Sequence, residues 1–147
     1  QMMRELPRER LIIGVQAVAG AQGALDATVA YVQERQAFGQ TIGQFQNTRF
    51  TLARQATDIA ASRAFLNACI AAYQHGELTP EAVSALKLHT TELMGRVADA
   101  CLQLFGGYGY MAEYPIARFW TDARVLRIYG GTSEIMQELV ARSLLGR

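Results

Sequence analysis

Two glycine clusters and a few charged residues carry what chemistry the sequence offers. Gly106, Gly107 and Gly109 follow one apolar helical stripe, and Gly130-Gly131-Thr132-Ser133 precedes another. Glycine lets a backbone approach a ligand closely, and a helix N-terminus presents free N–H groups to anionic oxygens. The same residues also make ordinary turns and caps, which is the simpler account of a glycine pair between helices. Arg35 and Phe38 share a loop, with Gln46 just beyond it. A guanidinium there could hold a phosphate while the aromatic covers a ring, or it could be a solvated loop charge. Glu9 reads as a first-turn glutamate, where the helix dipole alone explains its presence. His75, at a helix end, and His89, within a helix, read as surface or satisfied histidines rather than ligands.

Other chemistries find no footing. There is no CxxC pair, HExxH, P-loop or GxGxxG motif. A di-iron bundle needs a Glu-x-x-His motif on each of two helices, and none is present, so no metal is expected. Fourteen basic and thirteen acidic residues among 147 give a net charge of +1, which argues against nucleic-acid binding. Cys69 and Cys101 both fall in apolar helical patterns and read as buried thiols in a reducing compartment. The apolar stretch from Leu11 to Ala21 is broken by Gln16, so no membrane span is expected. No secretory leader is visible. The chain opens on Gln1 rather than Met, as a fragment of a longer protein would.

Half of the residues are apolar and 18% are charged, a composition that builds a core. Leu11, Val15, Val18, Gln22, Leu25, Val29 and Val32 recur at steps of four and three, which predicts a long helix with Pro7 in its first turn. Residues 35–43 lose the stripe and hold two glycines, so they read as a loop. Leu52, Ala56, Ile59, Leu66, Ile70 and Tyr73 mark a second helix ending at His75-Gly76. Thr79-Pro80 caps a third, with Val83, Leu86, Leu93, Val97 and Leu104 on its apolar side. A short helix is expected from Pro115 towards Val125. A last one opens at Thr132-Ser133-Glu134, with Ile135, Leu139 and Val140 facing inward. No segment alternates like a half-buried strand. The expected fold is all-α, a single domain over residues 1–147 built as an up-down bundle of long antiparallel helices.

Taken together, the segments 34–39 (ERQAFG), 103–110 (QLFGGYGY), 113–115 (EYP), 122–124 (DAR) and 128–135 (IYGGTSEI) resemble the C-terminal helical domain of the acyl-CoA dehydrogenase family. The resemblance covers essentially the whole chain. It implies a flavoenzyme that oxidises an acyl-CoA to its trans-2-enoyl product. A carboxylate removes the α-proton while the β-hydrogen leaves as hydride to FAD. By position, Arg35 and Phe38, with Gln46 beyond them, match the loop that meets the FAD of a neighbouring subunit. Gln103, Gly106 and Gly107 match the segment near that cofactor's adenosine and pyrophosphate. Thr132 and Glu134 match cap residues contacting the subunit's own FAD, although the family often has glutamine at the latter. Arg10 matches a position that contacts substrate near the CoA moiety. A homotetramer, or a dimer in some branches, is implied, with electron-transfer flavoprotein as acceptor.

One departure bears on mechanism. Many members place the catalytic glutamate where this chain has Gly130, which has no side chain to take a proton. Long-chain and isovaleryl branches resemble this chain in carrying their glutamate on the first helix instead, and Glu9 in Leu6-Pro7-Arg8-Glu9-Arg10-Leu11 falls on that position. The resemblance therefore implies Glu9 as base and Gly130 as the small residue opposite it. The Gly130 N–H remains available to the thioester oxygen. An oxidase of the same superfamily, passing electrons to oxygen, is the alternative enzyme. A non-catalytic helical interaction module is the alternative outside catalysis. The compartment implied is bacterial cytoplasm, or mitochondrial matrix in a eukaryote.

Overall fold

The three long apolar stripes form three long helices. The computed structural model describes residues 2–146, with side chains described from Leu6 onward. Among these residues the helices are α1 (Met2–Glu34), α2 (Gln46–Gln74), α3 (Pro80–Phe105), α4 (Pro115–Leu126) and α5 (Ser133–Leu145). α1 and α3 run side by side in the same direction. A Cβ added to Gly14 would lie 3.1 Å from Leu86 Cδ2, and one added to Gly20 would lie 3.0 Å from Met94 Cε. Further along, Tyr31 stacks on Phe105 with ring centroids 4.0 Å apart. Small residues on α1 thus let the two axes approach closely. α2 runs back along both, joined to α1 by an Arg63–Gln22 hydrogen bond of 3.2 Å. It meets α3 where Ser62 Oγ lies 2.7 Å from His89 Nε2, so that histidine is a satisfied one.

The caps follow the sequence signals. The Thr79 hydroxyl accepts from the Ala82 N–H at 3.2 Å with Pro80 at the first helical position. Thr132 does the same for Ile135 at 3.4 Å. Gly76, with φ of +73°, ends α2 as expected. Cys69 and Cys101 are buried free thiols, each pushed up from the usual thiol pKa by burial.

Several expectations need correction. α1 begins at Met2, so Pro7 lies inside the helix and Glu9 lies beyond its first turn. The 35–43 loop contains a minimal hairpin, β1 (Gln36–Ala37) paired antiparallel with β2 (Gln40–Thr41). Its turn residues Phe38 and Gly39 both have positive φ, 53° and 80°, as a two-residue hairpin turn requires. Val15, Ala56 and Tyr73 are exposed despite lying on the apolar stripes. On α5 the neighbouring Met136 is fully buried, while Ile135 is 50% exposed. Over Leu6–Glu34 the first helix is long and apolar enough to cross a membrane, with mean hydropathy 1.2. Its apolar residues are those of a core helix: Ala17, Val18, Ala21, Ala24 and Leu25 are buried in the bundle.

Leu86 is fully buried and touches the α1 backbone region at Gly14. Leu86→Ala should lower stability by about 2–5 kcal/mol, because the rigid helix pair collapses only partly into the cavity. Urea unfolding followed by circular dichroism checks this, and a loss below about 0.5 kcal/mol would contradict it.

Candidate active site

The Gly130-Gly131 turn is held from beneath by two buried cations. Arg10 Nε donates to the Gly130 carbonyl at 3.2 Å, and its Nη1 donates to Ser84 Oγ at 3.3 Å. Lys87 Nζ donates to the Leu126 carbonyl at 3.1 Å and to the Gly131 carbonyl. Gly130 adopts φ of +65° and Gly131 φ of +107°, which explains glycine at both positions. A Cβ on Gly130 would lie 2.6 Å from Ile13 Cδ1. Ile13 is one helical turn from Glu9 on the same face of α1. The structure therefore brings the α1 segment carrying Glu9 and Arg10 against Gly130. Glu9 itself is solvent-exposed in this chain. Among the described residues no backbone carbonyl accepts from the Gly130 or Gly131 N–H.

Thr132 and Glu134 continue this end into a cleft of about 200 Å³ shared with Glu92, Arg124 and Arg127. Glu92 ties it together, accepting from Ser133 Oγ at 2.8 Å and pairing with Arg127 at 3.3 Å. The Glu134 carboxyl is held below its ordinary pKa by the backbone N–H at the helix start, by the Thr132 hydroxyl and by the Arg124 charge.

Arg35, Gln103, Gly106 and Gly107 come together at the far end of the bundle. They line a cleft of about 440 Å³ with Tyr31, Ile42, Leu104, Phe105, Tyr108 and Met111. The Arg35 guanidinium lies 5.2 Å from the centroid of the Tyr108 ring. That is cation–π distance, and it holds the guanidinium against the cleft wall rather than free in solvent. The glycines that end α3 form a 3-10 turn, Gly106–Tyr110. An added Cβ on Gly106 or Gly107 would have no neighbour within 4 Å. Phe38 and Gln46 are not on this wall. Phe38 is 97% exposed at the hairpin tip, edge-on to Phe45, and Gln46 is exposed at the start of α2.

Glu9 and Arg35 stand at opposite ends of α1, and 26 residues at 1.5 Å each separate them by roughly 39 Å. Lys87 and Ser84 went unnoticed in the sequence. The only available signal for Lys87 was its place four residues after Val83, a cation on an apolar face.

The all-α bundle carries a cleft at each end, one lined by Gly106 and Gly107 and the other beside the Gly130-Gly131 turn. Residues 1–145 match the family model of the acyl-CoA dehydrogenase C-terminal domain, and the chain belongs to that family. It is similar to the mitochondrial long-chain specific acyl-CoA dehydrogenase of Sus scrofa, 45% identical over 144 residues, covering 98% of this chain and 34% of the relative. It is also similar to the acryloyl-CoA reductase (NADH) of Anaerotignum propionicum, 37% identical over 145 residues, covering 99% of this chain and 37% of the relative. The crystal structure of acyl-CoA dehydrogenase from Geobacillus kaustophilus matches with a TM-score of 0.95 and 41% identity, covering 97% of this chain and 38% of that one. The chain thus spans about a third of the length of the curated relatives it matches.

Proposed function

We propose that residues 1–147 form the C-terminal domain of a longer flavoenzyme that dehydrogenates an acyl-CoA between its α and β carbons, with Glu9 as base. The observation that carries this is the contact between Gly130 and α1. The turn position that lacks a side chain faces Ile13, one turn from Glu9, on the helix that supplies the alternative carboxylate. The helix-dipole account of Glu9 loses its footing, because α1 starts at Met2 and dipole effects fade within the first turn.

The residues present suit FAD. The Arg35 guanidinium matches phosphate oxygens, Gln103 offers an amide, and the open backbone at Gly106 and Gly107 admits a close approach. The chemistry supplied by bound FAD is acceptance of the β-hydrogen together with its electron pair. Glu9 takes the α-proton. The Gly130 N–H donates to the thioester oxygen as charge builds there. Arg10, tied to Gly130 and Ser84, serves the substrate end by anchoring this turn. Thr132 contacts the cofactor from the cap of α5. Glu134, an anion held ionised at the same cap, would help hold the cofactor there. The separation of Arg35 from Glu9 supports a homo-oligomer, tetramer or dimer, in which each cofactor draws on two copies of the chain. Phe38, exposed at the hairpin tip, and Gln46 reach the neighbour's cofactor. Electron-transfer flavoprotein is the acceptor. The likeness to a reductase favours a second direction through the same site, since Glu9 returns a proton to the α-carbon by the reverse path.

The test is anaerobic mixing of the complete flavoprotein with saturated acyl-CoAs of graded length. Flavin bleaching with formation of the trans-2-enoyl thioester is expected. Absence of bleaching with every chain length would overturn the proposal.

A further inference from the structure

Lys87 and Arg10 are an unusual pair to bury. Lys87 is 1% exposed and Arg10 8%. Among the described residues neither pairs with a carboxylate. Their acceptors are the carbonyls of Leu126, Gly130 and Gly131 and the Ser84 hydroxyl. Burial pulls both pKa values down, and for Lys87 the Arg10 charge adds to the effect. Two like charges facing one turn without a counter-ion are poor stabilisers, since apolar side chains of similar volume often serve a core as well or better. Their placement suits another purpose. A cation on a carbonyl polarises the whole peptide unit and strengthens its N–H as a donor. Arg10 on the Gly130 carbonyl acts on the Gly131 N–H, and Lys87 on the Gly131 carbonyl acts on the Thr132 N–H. Neither carbonyl shares a peptide unit with the Gly130 N–H, so on that donor the two cations act by fixing the turn and by their charge.

We propose that Lys87, with Arg10 beside it, is a positioning residue that holds and polarises the Gly130-Gly131 turn so that the turn stabilises the oxyanion of the reacting thioester. This rests on the dehydrogenation proposed above. In that step the α C–H bond breaks, the proton passes to the Glu9 carboxylate, and the electron pair delocalises onto the thioester oxygen. The Lys87 charge, acting through the turn, favours that anion over the neutral thioester.

The test uses the complete flavoprotein and a 3-oxoacyl-CoA. Its β-carbon carries no hydrogen, so chemistry stops at the enolate, which is read by its absorbance as pH is raised. Binding of a saturated acyl thioether analogue, which cannot ionise, is measured alongside. Lys87→Met should reduce the bound enolate-to-neutral ratio by roughly ten- to a hundredfold while leaving thioether affinity within a factor of about three. Lys87→Gln, a neutral donor, should behave in the same way and decides the matter if the Met variant does not fold. Equal loss of both ligands, or an unchanged enolate ratio in either folded variant, would overturn the proposal. If the wild-type protein binds the thioether but forms no enolate, the dehydrogenation itself fails and this inference falls with it.

Discussion

Glu9→Gln in the complete flavoenzyme should retain FAD and bind acyl-CoA, yet lose about 100- to 10,000-fold in the rate of flavin reduction. The amide is nearly isosteric with the acid and cannot accept a proton. Glu9 is exposed and not part of the core, so packing should be untouched. A purely structural glutamate predicts a different outcome: a stability change of a few tenths of a kcal/mol and full turnover. Stopped-flow reduction with a saturated acyl-CoA separates the two. Because α1 extends back to Met2, even that small dipole effect should be weak.

The second large effect concerns the position opposite. Gly130→Glu would place a carboxylate where other branches of the family carry theirs. On its own it should fail to rescue the Glu9→Gln enzyme. The new Cβ would lie 2.6 Å from Ile13 Cδ1, and φ of +65° strains any residue with a side chain. Each of these should cost about 1–3 kcal/mol. Ile13→Val removes that Cδ1 atom for about 0.5–1.5 kcal/mol. The triple variant with Glu9→Gln, Ile13→Val and Gly130→Glu should therefore regain about tenfold or more of the lost rate, short of the roughly 100-fold or more that a well-placed general base supplies, because the φ strain at residue 130 remains. A folded triple variant no faster than Glu9→Gln would show that the space vacated by Ile13 does not lead to the α-carbon.

Much of the fold was legible because its helices are long and regularly striped. Proline and threonine marked the start of α3, and glycine marked the end of α2. The errors arose where the pattern was ambiguous. On α5, Ile135 and Met136 are adjacent and both apolar, so thirteen residues leave the helix phase open by one position. Met136 wins because its flexible thioether reaches under Gly131, where an added Cβ would meet its Cε at 2.6 Å. Pro7 suggested a helix start, but a proline early in a helix disturbs few hydrogen bonds, and α1 continues through it. The site was half legible. Motifs singled out Glu9, Gly130, Arg35 and the Gly106-Gly107 pair. They did not show that α1 sets two of these groups at opposite ends of the bundle. Nor did they reveal Lys87, because a buried lysine has no periodic signature of its own and is recognised only once its carbonyl partners are seen.

Proton removal by Glu9 can be measured apart from electron transfer. The complete flavoprotein is incubated without an electron acceptor with an acyl-CoA deuterated at the α-carbon, and loss of deuterium to solvent is followed by mass spectrometry. The wild-type protein should exchange the α-deuterium, and the Glu9→Gln enzyme should exchange it about 100-fold or more slowly at equal substrate occupancy. Exchange at the same rate in both proteins would contradict the assignment of Glu9 as the base.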